Sequence, residues 1–84
     1  MDRYLVESTH TAEDCHHVVE QFIIHGHIIN FDWGCQVGIH TAWAIIEAEN
    51  ESQARMTVPS FLRSKARAIQ LCKFTPASIQ AQHE

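Results

Sequence analysis

The chain has 84 residues, a hydrophobic fraction of 45%, a charged fraction of 19% and a formal net charge of -4. These values describe one small folded domain rather than a disordered tail, and a chain this short buries only about 60–65% of the surface its unfolded form exposes, so a partner that extends the core is expected. No apolar run approaches the roughly 20 residues of a membrane helix, and Asp2, Arg3 and Glu7 stand where a signal peptide would be apolar. The expectations are no membrane association and a cytoplasmic location.

Three cysteines with no C-x-x-C pair argue for thiols rather than a disulfide framework or a ribbon-type zinc site. Arg55, Arg63, Lys65, Arg67 and Lys73 fall in a stretch free of acids, while the acids crowd the first 51 residues. A solvated face is the commoner cause of such a run than an anion-binding patch. With an acidic domain and only Phe61 interleaved among these charges, no nucleic-acid partner is expected.

Arg3 to Thr9 is a short β-prone run that reads as a first strand. Thr11 then offers an N-cap hydroxyl with Asp14 three residues on, resembling a capping box, and Ala12, Cys15, Val18, Val19, Phe22 and Ile23 draw one apolar stripe on a 3.6-residue period. A helix is predicted there, ended by Gly26. From His27 the pattern changes: Ile28, Ile29, Phe31 and Trp33 suit a second strand, and Ile39 to Ala48 a third, joined across Gly34 to Gly38 as a hairpin.

Asn50 with Gln53 predicts the cap of a second helix whose apolar face is Ala54, Val58, Phe61 and Leu62. Pro59 removes an amide donor and clashes with the turn before it, so that helix should stop near Thr57 and a separate turn restart at Pro59. Ala68 to Phe74 reads as a fourth strand, and Thr75-Pro76 as the cap of a short terminal helix.

The order strand, helix, strand, strand, helix, strand predicts an α+β domain of the ferredoxin-like βαββαβ plait. Its four-stranded antiparallel sheet would run in the order 4-1-3-2 with two helices on one face. Strand periodicity then assigns Tyr4, Val6, Ser8, His40, Ala42, Ala44 and Ile46 to the helix side. Leu5, Glu7, Thr9, Thr41, Trp43, Ile45 and Glu47 face outward, an apolar mixture that predicts sheet-to-sheet homodimerisation and a small-molecule cavity between the sheets. Glu7, Trp33, Cys35, Trp43 and Glu47 are the candidate ligand-binding residues.

The same topology gathers the end of the first strand, the start of the first helix and the central hairpin at one sheet edge. His10, Cys15, Trp33, Cys35 and His40 should meet there, and the two thiolates and two imidazoles among them suit a tetrahedral zinc site, while thiolates also suit copper(I). Cys15 lies in a first helical turn, where the dipole favours a thiolate. Against this, cysteine packs as a small hydrophobe, which makes Cys15 and Cys72 candidates for the core. A Cys35–His40 pair could also serve as nucleophile and base, and Glu7 or Glu47 as a buried general base, but no third orienting group can be named. His16, His17, His25 and His27 read as solvated or capping groups.

Tyr4-Leu5-Val6-Glu7, His10-Thr11, Phe31-Asp32-Trp33-Gly34-Cys35, Gly38-x-His40-Thr41-x-Trp43-Ala44 and Phe74-Thr75 resemble a group of small uncharacterised proteins of similar length. More broadly, the chain resembles the dimeric α+β barrel superfamily, whose ferredoxin-like subunits pair sheet to sheet. The resemblance implies a homodimer and names no activity, because the superfamily includes monooxygenases, isomerases, haem enzymes and ligand-sensing domains. Two functions are expected: a small-molecule-binding homodimer, or a metal- or thiol-dependent enzyme working at the sheet edge.

Overall fold

The computed structural model describes residues 1–77. In chain order the elements are β1 (Asp2–Thr9), α1 (Cys15–Ile24), β2 (Asp32–Trp33), β3 (Thr41–Ala48), α2 (Glu51–Arg55) and β4 (Arg67–Leu71), with 3-10 turns at Ile28–Asn30, Cys35–Val37 and Ser60–Lys65. They form an α+β domain whose four strands are all antiparallel in the order β2-β3-β1-β4, the predicted 4-1-3-2 read from the other edge. The helix expected after Thr75-Pro76 lies almost wholly outside the described residues.

β1 is the spine, paired along its whole length with β3 from Asp2 opposite Ala48 to Thr9 opposite Thr41, and with β4 on its other side. Tyr4, Val6 and Ser8 alternate inward and are buried, as are Ala42, Ala44 and Ala48 of β3. The short alanines leave room for the bulk of the helix layer. Val18 and Phe22 of α1, Ala54 of α2, and Val58 and Leu62 beyond it join these strand residues in one core.

Phe22 is wholly buried and holds the hairpin side of that core, with its ring 4.9 Å from Phe31 and 4.8 Å from Trp33, both edge-on. Its burial contributes about 2–3 kcal/mol, and edge-on pairs add up to about 1 kcal/mol each. Trp33 is thereby fixed on the helix side of the sheet, opposite Ala42 in the register.

Local chemistry sets the element ends. Gly26 carries φ +78° after α1, a conformation that favours glycine. Thr11 does not cap α1 directly: its Oγ1 accepts from the Asp14 amide at 3.3 Å and donates to Asp14 Oδ2 at 3.0 Å, closing a turn before the helix begins at Cys15. Asn50 does cap α2, accepting from the Gln53 amide at 2.9 Å, while the Gln53 side chain accepts from the Glu49 amide at 3.2 Å. Pro59 separates α2 from the next turn, as expected. Leu62 donates back to the Pro59 carbonyl at 2.9 Å, and Arg63 donates to the Val58 carbonyl at 2.8 Å and the Met56 carbonyl at 3.4 Å, satisfying acceptors at the break.

The second strand is much shorter than its β-prone composition suggests. Asn30 donates its amide to the His27 carbonyl at 3.0 Å, winding Ile28–Asn30 into a 3-10 turn that leaves Ile29 88% exposed. Only Asp32 and Trp33 remain to pair with β3. The local turn after Gly26 outcompetes strand propensity even though, continuing the register, Ala44 to Ala48 of β3 would stand opposite residues 27–31.

Candidate metal centre

The hairpin between β2 and β3 is wound tightly around Gly34. Gly34 exchanges backbone bonds with Thr41 and Ile39, and its carbonyl also accepts from Val37, all at 3.0–3.1 Å. A Cβ at position 34 would lie 2.7 Å from the Ile39 carbonyl oxygen and 3.1 Å from the Trp43 ring, so only glycine fits without displacing backbone. Gly38 closes the turn with φ +83°. This places Cys35 at the start of the 3-10 turn and returns His40 to the entrance of β3.

On the neighbouring strand, the β1–β3 ladder extends one step past Thr9, with the His10 amide donating to the His40 carbonyl at 3.0 Å. The two imidazoles lie beside this bond, ring centroids 5.5 Å apart and edge-on, with Trp33 6.1 Å from His10. Chain reversal through Thr11 and Asp14 then brings Cys15, the first residue of α1, to the same place. One ligand atom from each of His10, Cys15, Cys35 and His40 lies within 4.8 Å of every other, and all four residues are half-buried. These are the four residues that topology and parity nominate.

Cys35 Sγ is 3.4 Å from His10 Nε2. Ligand atoms around a zinc ion stand roughly 3.3–3.8 Å apart, given bonds of about 2.0–2.3 Å and tetrahedral angles. One edge of the tetrahedron is therefore already at ligand spacing, and no other has to close by more than about 1–1.5 Å. His10 Nδ1, His40 Nδ1 and the indole Nε1 of Trp33 are all buried with no hydrogen-bond partner among the described residues. Such a concentration of unmatched nitrogens is costly for a purely structural cluster. A neutral imidazole can offer a lone pair to a cation, so His10 and His40 suit a donor set built around one, whereas the indole N–H of Trp33 has no lone pair to offer and calls for an acceptor.

Protonation favours the histidine ligands and opposes the thiol ones. Burial lowers the pKa of His10, the adjacent His40 lowers it further, and Asp14 only partly opposes them, so the imidazole is neutral and can donate a lone pair. Burial raises the pKa of the Cys35 thiol, and contact with Cys15 raises it further, against a weaker backbone effect. A cation must displace that proton on binding.

A cavity of about 240 Å³ adjoins the centre, lined by Thr9, His10, Thr11, Asp14, Leu62 and Lys65. Thr11 and Asp14 are already bonded to each other. His10 is the one residue shared by cavity and cluster.

The five candidate ligand-binding residues do not line one space. Glu7, Trp43 and Glu47 lie on the open sheet face, whereas Trp33 packs against Phe22 on the other side and Cys35 belongs to the histidine–cysteine cluster. Glu7 is occupied: Trp43 Nε1 donates to its Oε2 at 3.2 Å, and Arg67 donates through Nε at 3.3 Å and approaches through Nη2 at 3.1 Å. Glu47 is exposed. Neither carboxylate is a buried general base.

Cys72 is exposed rather than in the core, because β4 ends at Leu71. The remaining histidines behave as surface groups: His16 sits 2.6 Å from Glu20, His17 faces Phe61, and His27 lies beside Asn30. Three of the five basic residues are engaged within the chain: Arg55 faces Glu51, Arg63 serves backbone carbonyls and Arg67 serves Glu7. Among the described residues no helix is long and apolar enough to cross a membrane. Trp33, which the sequence also places at this edge, lies beside His10 and carries a buried indole nitrogen without a partner among the described residues.

No family model, curated protein or solved structure matches this chain, so its function is drawn from the geometry of the site.

Proposed function

We propose that this protein is a small metal-binding domain that holds one zinc ion through His10, Cys15, Cys35 and His40. The observation that carries this is the convergence of the four ligand atoms within 4.8 Å from three separate chain segments. Two thiolates and two imidazoles match zinc's borderline softness and tetrahedral habit, whereas copper(I) favours sulfur-richer sets. Four protein donors fill the coordination shell, so the centre acts by binding and by tying the β1–α1 junction to the hairpin rather than by activating a substrate.

The test is metal analysis by plasma emission on tag-free protein from medium supplemented with zinc and copper. About one zinc per chain is expected, lost in Cys35→Ser and His40→Ala and kept in Cys72→Ser. Metal-free protein under those conditions overturns the proposal.

A second reading, a homodimer of the dimeric α+β barrel type built from a ferredoxin-like plait, is favoured by a specific surface. Ile45 is 60% exposed and Ile69 40% exposed on the open sheet face, with half-buried Leu5 and Leu71 beside them. Pairing two such faces would cover them, and a small molecule could be enclosed between the sheets. The element order and the single inward-facing core shared by both helices support the plait. Sedimentation at high micromolar concentration should give a dimer; a clean monomer removes this reading without touching the metal centre.

A further inference from the structure

We infer that the metal centre is redox-gated: a peroxide joins Cys15 to Cys35 as a disulfide and the cation leaves. This rests on the metal reading above and assigns its regulation. Both sulfurs lie within 4.8 Å of each other in the cluster, so bond formation requires them to close by at most about 2.8 Å. Both cysteines are free and half-buried, unlike inert core thiols. Cys15 starts α1, and Cys35 rides a three-residue turn bounded by Gly34 and by Gly38 at φ +83°. The 240 Å³ cavity reaches His10, which touches Cys35 at 3.4 Å, and is large enough to bring a small oxidant to the edge of the cluster.

The chemistry balances with the peroxide as the named oxidant. One thiolate attacks a peroxide oxygen, the O–O bond breaks, and a sulfenic acid and a first water result once a proton is taken up. The second thiolate attacks the sulfenic sulfur, the S–O bond breaks, and with another proton a second water leaves as the disulfide forms. Two electrons pass from the sulfurs to the peroxide. Two of the four donors are then lost, and His10 and His40 alone cannot retain the ion. Cys72 is exposed at the far end of β4 and takes no part.

The experiment uses zinc-loaded Cys72→Ser protein treated with one equivalent of hydrogen peroxide, with released zinc read by a chromophoric chelator. Cleavage after glutamate separates the thiols, because Glu13, Glu20 and Glu47 place Cys15 and Cys35 in different peptides. The expected result is near-stoichiometric zinc release, a mass loss of about 2 Da, residues 14–20 crosslinked to residues 21–47, and recovery of zinc binding after dithiothreitol. Zinc retention under peroxide, or zinc loss with the two cysteines uncrosslinked and one of them carried as a sulfenic acid, overturns the gate while leaving the metal reading standing. Protein that takes up no zinc before peroxide is added overturns both.

Discussion

The two tryptophans mark two polar clusters with opposite economies. On the open sheet face the indole of Trp43 donates to Glu7, and Arg67 takes the other carboxylate oxygen, so each polar group has a partner. At the sheet edge the indole of Trp33 and a ring nitrogen of both His10 and His40 are buried with none among the described residues. A satisfied network explains itself as structure. An unsatisfied one, whose imidazoles stand with two thiols within 4.8 Å, could hold a metal ion.

The largest test of that contrast is removal of metal. Free zinc at a thousandfold over its dissociation constant stabilises the fold by about 4 kcal/mol, so a strong chelator should lower the melting temperature by roughly 15–30 °C in a domain this small. An unchanged melting curve would make the edge cluster as self-sufficient as the Glu7 network. Next in size is Gly34→Ala, whose new Cβ meets the Ile39 carbonyl at 2.7 Å. Displacing that turn should cost about 1–3 kcal/mol in chemical denaturation and weaken zinc roughly tenfold in competition titrations, because Cys35 is the next residue.

Glu7→Gln tests the other cluster. With Arg67 largely exposed, losing the charge pair should cost only about 0.5–1 kcal/mol, read as a small shift in denaturation midpoint, with zinc content unchanged. A loss of zinc would mean that the two clusters are coupled across the sheet.

The smallest effect is the pH dependence of the metal-free protein. The lowered His10 pKa makes the unfolded state the better proton acceptor, so stability falls as pH drops below about 6.5. The raised Cys35 pKa acts in the opposite sense, keeping the proton on the folded chain, so stability also falls as pH rises past about 8.5. Melting temperature against pH should peak between these values, and His10→Gln should flatten the acid side.

Much of the fold was legible because its signals are local. The alternation of Tyr4, Val6 and Ser8, the Asn50–Gln53 cap and the break at Pro59 each depend on neighbours within a few residues. Strand propensity at Ile28 and Ile29 misled, since propensity carries no knowledge of the competing turn that the Asn30 amide closes onto the His27 carbonyl. The surface role of Cys72 was also hidden, because burial depends on where β4 ends.

The sequence by itself determined which residues could meet at the edge: topology and side-chain parity put His10, Cys15, Cys35 and His40 at one end of the sheet. Tertiary structure alone decided that their ligand atoms converge within 4.8 Å, and that Glu7 is already occupied by Trp43 and Arg67. Parity specifies a side of the sheet, but coordination depends on distance and on which nitrogens are left without partners. Here the tight passage of the chain at Gly34 and the ring of Phe22 against Trp33 set both.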